Sequence, residues 1–264
     1  MIKISVVTCT YNASLVLKRT LDSVYNQCYT NIEHIIVDGK SKDQTLSIVE
    51  DYKKQIESNG CCYELVVVSE PDKGLYDAMN KAIGLASGDF LVYLNAGDRF
   101  HDQNTLAIVA KAVEDSKADV GVVYGETDIV DYDGHFLRKR HHSVPEKLSW
   151  RSFKNGMLVC HQSFYVNVSI AKNVFYNLNY KFSADVDWCI RIMKYADKKN
   201  MLLVNTHNVL TDFLDGGLTT ANHKKSLIER FDVMRRHYGL FVSIFMHIVF
   251  VFRSVFKHYV AFFK

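Results

Sequence analysis

The 264-residue chain has two prolines, Pro71 and Pro145, and no low-complexity stretch, linker-like segment or internal repeat. A proline-rich spacer and a string of tethered modules are thereby excluded. None of the six cysteines, Cys9, Cys28, Cys61, Cys62, Cys160 and Cys189, belongs to a C-x-x-C pair, so the usual zinc spacing is missing. Cys9 and Cys160 lie in apolar runs and read as small buried hydrophobes. The opening residues, Ile2 to Thr8, read as a strand rather than a leader, and the expectation is a reducing, cytoplasmic compartment. No acidic residue follows Asp232, and no G-x-G-x-x-G follows the first strand.

Apolar residues make up 48% of the chain and charged residues 23%, the balance of a soluble globular protein with a sizeable core. The length suits one large domain, or one domain with an appendage. The formal net charge is +3, and the five basic residues after Asp232 leave −2 for the remainder. A near-neutral body argues against a nucleic-acid surface. A basic end suits a membrane surface.

The first half alternates short β-branched runs with helical periodicity. Ile4 to Cys9, Ile32 to Val37, Tyr63 to Val68 and Phe90 to Leu94 read as strands. Between them Leu17, Leu21, Val24 and Tyr25 share one helical face, as do Leu46, Val49, Tyr52 and Ile56, and a third helix spans Leu75 to Leu85. Such alternation predicts βαβ units and a mostly parallel sheet, an α/β fold. Further on, Val120 to Tyr124 reads as a strand. Thr127 to Asp131 and His135 to Arg140 read as a hairpin about Asp133-Gly134. Asp185 to Tyr195 reads as a helix and Met201 to Asn205 as another strand.

In open α/β sheets ligands sit beyond the carboxyl ends of the strands, and polar residues gather there. After the first strand come Thr10, Tyr11 and Asn12, and after the second Asp38, Gly39, Lys40 and Ser41. Glu70, Pro71, Asp72, Lys73 and Gly74 follow the third, and Asn95, Ala96, Gly97 and Asp98 the fourth. An aromatic ring stacks on a base, a carboxylate accepts from base N–H or ribose hydroxyls, and a lysine meets a phosphate.

The ordered set "SVVTCTYN" (5–12), "IIVDGKSKDQT" (35–45), "EPDKGLYDAMNKAIGLASGDFLVYLNAGD" (70–98), "CHQSF" (160–164) and "SADVDW" (183–188) resembles the family 2 glycosyltransferases, which have the GT-A fold. The resemblance covers roughly the first 220 residues and implies a glycosyltransferase domain over 1–220, followed by a helical, basic, amphipathic tail over 221–264. It implies that Tyr11 and Asp38 hold the nucleotide base, with Asp72 and Lys73 near base and phosphates. Asp98 corresponds to the end of the family's D-x-D metal motif. Here the motif reads Asn95-Ala96-Gly97-Asp98, so Asn95 replaces a carboxylate and Asp98 would hold Mg²⁺ or Mn²⁺ beside donor phosphate oxygens.

The implied reaction is an inverting transfer of a sugar from a nucleotide-diphosphate donor, UDP foremost, to an acceptor hydroxyl. That hydroxyl needs a general base, and the leaving diphosphate needs its charge neutralised. In the family the base is the aspartate of an E-D-type pair at a helix start. Here Ala184 replaces the glutamate and Asp185 keeps the aspartate, where a helix N-terminus favours a carboxylate anion. His161 and Gln162 resemble the family's H-Q pair lining the site, and Gly216-Gly217 a loop closing over the phosphates.

Plainer readings stand beside these. Asp98 and Asp185 are both residue types that cap helices, His161 beside Cys160 is also a core histidine, and Asp187 supports local structure. The same fold holding a nucleotide sugar without turnover is one competing class. A dinucleotide-dependent oxidoreductase is another, weakened by the missing glycine fingerprint.

From Phe241 the tail repeats Phe241, Phe245, Ile248, Phe252, Val255, Tyr259 and Phe262 at spacings of three and four. Ser243, His247, Ser254, Lys257 and Lys264 lie opposite. The tail's longest stretch free of Lys, Arg, Asp and Glu, His237 to Phe252, has 16 residues, short of the ~20 that span a bilayer. The expectation is an interfacial helix on the inner face of the cell membrane, with a glycan or lipid-linked acceptor, as in bacterial surface-polysaccharide assembly. The alternative is a helix packed on protein.

Overall fold

The computed structural model describes residues 1–58, 60, 63–216 and 222–262. Cys61, Cys62, Gly217 and Lys264 lie outside the described residues, as do the side chains of Ser254, Val255, Lys257, Tyr259 and Phe262.

Strands β1 (Ile4–Thr10) and β2 (Ile32–Asp38) are buried at all fourteen positions, because helices cover both faces of the sheet they form. Except for Thr10, whose hydroxyl is buried without a partner, their polar members find partners in place. Ser5 donates to Glu33 Oε2 at 2.6 Å, and His34 lies between Thr8 Oγ1 (3.0 Å) and the Tyr52 hydroxyl (2.9 Å). Burial holds the His34 imidazolium down at about 3, so the ring is neutral. Strands β3 (Glu64–Ser69) and β4 (Phe90–Tyr93) complete a parallel unit in the order β3-β2-β1-β4. Val7 registers with Ile35 on one side and Tyr93 on the other. Winding reverses between β1 and β4, and the loops after these strands part there.

Side chains alternate across β1. Ile4 and Val6 face one core, Val7 and Cys9 the other. Helix α1 (Leu17–Tyr25) buries Leu17, Leu21 and Val24, and α2 (Thr45–Ser58) buries Val49, Tyr52 and Ile56. Each such side chain contributes roughly 1.5–3 kcal/mol by leaving water. Helix α3 (Leu75–Leu85) covers the opposite face.

Beyond β4 the sheet turns mixed. Strand β5 (Arg99–Phe100) and helix α4 (Thr105–Glu114) lead to β6 (Val120–Val130), which pairs with β7 (Phe136–Lys139) as the expected hairpin. The two short strands read over 120–131 are one, continuous but with register shifts around Glu126. After two short 3₁₀ turns (Trp150–Asn155 and His161–Ser163) come β8 (Phe164–Asn167), antiparallel to both β4 and β6, and α5 (Val168–Ala171). Helix α6 (Ala184–Lys198) carries the second buried face. Strand β9 (Leu202–Leu214) runs parallel to β6, well past the Asn205 limit read from sequence, with His207 at φ +56° inside it. The full path is β3-β2-β1-β4-β8-β6-β9-β5.

Helices α7 (His223–Tyr238) and α8 (Leu240–Phe262) close the chain, parted by Gly239 at φ +86°. Helix α7 belongs to the body. Its Glu229 accepts the backbone N–H groups of Lys181, Phe182 and Ser183 at 2.7–3.0 Å, and its His237 meets Asp187 of α6 at 2.8 Å. Helix α8 turns its polar side inward. Ser243 is fully buried and His247 packs between Phe231 and Phe250, whereas Phe241, Phe245 and Phe252 are 87%, 64% and 70% exposed. No helix among the described residues is long and apolar enough to cross a membrane.

Candidate active site

Every loop after β1 to β4 opens on the same rim, and the residues there form two groups. The first surrounds Gly39. Its N–H donates to Thr10 O at 2.9 Å, bringing the β1 and β2 loops together. A methyl group at residue 39 would overlap the Asp72 carboxylate and sit 3.3 Å from the Tyr11 ring. Tyr11 is 59% exposed, as a free stacking surface must be. Asp72 is fixed by Gly74 N at 2.8 Å. Tyr11 and Asp72 are thus side by side. Lys73 is exposed at the same edge, its N–H on Asp77 Oδ2 at 3.0 Å.

Asp38 lies beneath this group. It is fully buried, accepting from the Ser41 N–H (3.0 Å), the Ser41 hydroxyl and the Ser69 hydroxyl (2.6 Å). It shapes the loop through these bonds. Ser41 in turn accepts from Asn12 N, and Lys42 N donates to Asn12 Oδ1, both at 2.8 Å, tying the β1 and β2 loops into one floor.

The second group gathers around the β4 loop. Asp98 N donates to Asn95 O at 2.9 Å, closing a tight turn in which Gly97 has φ +103°. Only glycine adopts that conformation without strain. A β-carbon at this position would also come within 2.9 Å of Leu214 Cδ2 and 3.6 Å of Val16 Cβ. Thr20 of α1 pins the turn, accepting from Gly97 N (2.9 Å) and donating to Asp98 O (2.6 Å). The Asp98 carboxylate points inward at 4% exposure. It accepts from Gln162 Nε2 at 2.9 Å and from Leu214 N at 3.0 Å. Asp98 therefore caps no helix; the residue before α4 is Asn104. Burial pushes its carboxyl up to about 7, against the downward pull of those two bonds and Arg19.

His161 stands between Asn95 and Asp185. Its Nε2 is 3.3 Å from Asn95 Nδ2, and its Nδ1 is 3.6 Å from Asp185 Oδ2. Burial lowers its pKa although Asp185 raises it, so the ring is neutral at pH 7. Asp185 occupies the first turn of α6, and its Oδ1 accepts from the Tyr76 hydroxyl at 3.2 Å. Asn95, Asp98, His161, Gln162 and Asp185 thus converge from three separate segments. Asp187, one turn face away, is held by Arg191 (2.7 Å) and His237, the supporting role read from sequence.

The fit of this group to a divalent cation rests on its oxygen donors. Asn95 Oδ1 is buried without a hydrogen-bond partner, and each Asp98 oxygen keeps a lone pair beyond its one protein bond. A carboxylate and an amide oxygen suit Mg²⁺ or Mn²⁺. Among the described residues two other groups have ligand-like spacing. In the trio His101, Asp128 and Asp212, Asp212 is already paired with Arg99 at 2.8 Å and His101 at 2.7 Å. The other, Asp131, Asp133 and His135, sits in the β6–β7 turn, largely exposed.

Three participants escaped the sequence reading. Tyr76 falls within the quoted "KGLYDAMN" run, but an aromatic on a helix face reads as core. Gly39 acts through its missing side chain. Glu229 acts from 44 positions beyond Asp185, a distance no local pattern bridges.

The Glycosyl transferase family 2 model matches residues 5–175. Among relatives, the PGL/p-HBAD biosynthesis glycosyltransferase of Mycobacterium tuberculosis is 29% identical over 236 residues, covering 88% of this chain and 85% of its own. The amylovoran biosynthesis glycosyltransferase AmsB of Erwinia amylovora is 31% identical over 222 residues, covering 79% and 70%. Among solved structures, S. aureus TarS in complex with UDP-GlcNAc aligns with a TM-score of 0.67 at 20% identity. That match covers 88% of this chain, which spans 64% of the TarS chain. The mannosyltransferase PcManGT of Pyrobaculum calidifontis, in complex with GDP-Man and Mn²⁺, aligns at 0.62 and 18% identity over 93% and 70%. At such identities the structures show the fold alone, and it is the α/β arrangement of GT-A enzymes. The family match includes the rim residues from Tyr11 to Gln162 and ends before Asp185, and the chain belongs to glycosyl transferase family 2.

Proposed function

We propose that the protein transfers one sugar, with inversion, from a nucleotide-diphosphate donor to a hydroxyl of a lipid-linked glycan. The observation that carries this reading is the run of contacts from Asp185 through His161 to Asn95, in whose turn Asp98 is held by Gln162, on the sheet rim that also carries the exposed Tyr11. Tyr11 and Asp72 take the base, with Asp38 holding their loop and Lys73 reaching the phosphates. UDP is the first nucleotide to try, as TarS holds UDP-GlcNAc in the same fold.

Asp185 accepts the acceptor proton as the hydroxyl oxygen bonds to the anomeric carbon and the bond to the diphosphate breaks. The displaced nucleoside diphosphate leaves with the electron pair. Tyr76 and His161 orient the Asp185 carboxylate. Asp98 and Asn95 would hold Mg²⁺ or Mn²⁺, which neutralises charge on the leaving diphosphate when bound. Gln162 fixes Asp98 for that role. A glycan substrate is in keeping with the names of the mycobacterial and amylovoran relatives.

Helix α8 lies on the inner face of the cell membrane in this reading. Its outward Phe241, Phe245 and Phe252, without acidic residues, suit an anionic interface.

Calorimetric titration with UDP, with and without Mn²⁺, on wild type and Asp98→Ala tests the donor site. Metal-dependent binding is expected in wild type and not in the variant. Absence of UDP binding under either condition would remove the nucleotide assignment. Donor hydrolysis that survives in Asp185→Ala would remove the base.

A further inference from the structure

Cys160 stands directly before the 3₁₀ turn that carries His161 and Gln162, and it is buried at 7% exposure. Its Sγ is 2.7 Å from Gln162 Oε1, and the other end of the same amide, Nε2, is 2.9 Å from Asp98 Oδ2. The three side chains form one hydrogen-bonded series, thiol to amide to carboxylate. Gln162 is only 2% exposed, so water has little access to either end of its amide.

The direction of this series follows from what each group can do. A primary amide has one accepting end and one donating end, and a carboxylate only accepts. Turned over, Gln162 would set its oxygen against the Asp98 oxygen and leave its buried N–H groups facing sulfur, an arrangement that costs free energy. The thiol prevents this, because its hydrogen finds an acceptor in the amide oxygen and none in the amide nitrogen. Burial raises the Cys160 pKa, so the hydrogen is in place at pH 7.

The turn has other supports for its shape. Ser163 N donates to Cys160 O at 3.0 Å, and Thr211 of β9 donates to Gln162 O at 2.8 Å. The Ser163 hydroxyl donates to Glu126 O at 3.1 Å and lies 2.6 Å from the Thr127 hydroxyl, both on β6. The backbone is thus fixed by β6 and β9, and what the thiol decides is which end of the amide Asp98 meets.

We propose that Cys160 is a positioning residue, whose thiol donates to Gln162 Oε1 and so keeps the amide nitrogen on Asp98, orienting that carboxylate for a divalent cation. The cation's part in this rests on the transferase reading, in which Asp98 holds Mg²⁺ or Mn²⁺; the hold on Gln162 does not. A small buried hydrophobe, the part read for Cys160 from its apolar run, could be played by alanine. A donor's part could not.

Cys160→Ala and Cys160→Ser separate the two parts, because both side chains are smaller than cysteine and only serine keeps a donor on the β-carbon. Mn²⁺ binding to the full chain with UDP present is read from the free-ion electron paramagnetic resonance signal. Cys160→Ala should bind Mn²⁺ about five- to tenfold more weakly than wild type, and Cys160→Ser should recover to within about twofold, with the two variants alike in Tm. Gln162→Leu should lose at least as much, and adding Cys160→Ala to it should cost nothing further, since the thiol acts only through the amide. A second readout needs no metal. The S–H stretching band, isolated as the infrared difference between wild type and Cys160→Ala, should sit at the low frequency of a donating thiol and move up in Gln162→Leu. Equal Mn²⁺ affinity in the alanine and serine variants, or losses that add in the double variant, would overturn the positioning role. An S–H band unmoved by Gln162→Leu would overturn the bond itself. If wild type and Asp98→Ala take up Mn²⁺ alike, the metal assignment falls, and the infrared band still decides the hold on Gln162.

Discussion

The Tyr76 hydroxyl, carried by α3, donates to Asp185 Oδ1 at 3.2 Å across to the first turn of α6. The bond joins α3, beside the rim proposed to take the nucleotide, to the residue proposed as the base. The Tyr76 ring stacks on Tyr176 at 5.4 Å, so removing the oxygen leaves the packing intact. Tyr76→Phe is therefore expected to lower kcat about tenfold, with the donor KM and the Tm nearly unchanged, the loss of roughly one hydrogen bond to a charged group. Steady-state kinetics at saturating acceptor read this out. Unaltered kcat would show that Asp185 needs no orientation from Tyr76.

Gly39 makes a separate claim about the donor. A β-carbon there runs into the Asp72 carboxylate and the Tyr11 ring, both on the exposed rim. Gly39→Ala should weaken nucleotide binding at least tenfold while leaving the thermal midpoint within about 2 °C, because the clash can be relieved by displacing rim side chains. Calorimetry and a melting curve on the same sample suffice. Full affinity in the variant would move the base away from Tyr11 and Asp72.

Glu229 holds three consecutive backbone N–H groups just before α6. Glu229→Gln keeps the shape but replaces the charged acceptor, and should cost about 1–3 kcal/mol of stability. Because the same loop positions Asp185, kcat should fall further than the donor affinity does. Urea unfolding with parallel kinetics checks both, and a destabilised variant with wild-type kcat would confine Glu229 to a purely structural part.

Asp98 carries a pH dependence whose sign follows from its environment. Burial raises its carboxyl to about 7, so between the ordinary aspartate range and that value the folded state holds a proton that the unfolded chain has released. Stability from this group is thus lost as pH rises across that window. Asp98→Asn, which never ionises, is expected to melt higher than wild type at pH 8, by about 2–4 °C for each kcal/mol relieved, with the gap closing near pH 4. Added Mn²⁺ should raise the wild-type midpoint at pH 8 and leave the variant where it is. A constant difference at all pH values would contradict the buried, proton-sensitive setting.

Local pattern alone determined the parallel half of this protein. Ile4–Thr10 and Ile32–Asp38 are uninterrupted because both faces of a covered sheet are apolar, and α1 to α3 show one buried stripe each. The polar residues that close these strands were legible for the same reason, since strand ends are where such a sheet exposes its loops. Strand β9 was not legible to its full length, because Thr206, His207 and Asn208 interrupt alternation at an irregular register and pairing with β6 carries the strand across. The amphipathic repeat of the last helix was visible, but its orientation was not; that Ser243 turns in and Phe241 out depends on what α7 presents to it. The sequence likewise offered Asp98 and Asp185 as either caps or functional carboxylates. Packing takes both away from the N-cap positions, enclosing Asp98 between Gln162 and Leu214 and setting Asp185 against Tyr76 and His161. Glu229 had no local signature at all, since a contact made across tens of residues leaves no periodicity behind and exists only once the chain has closed on itself.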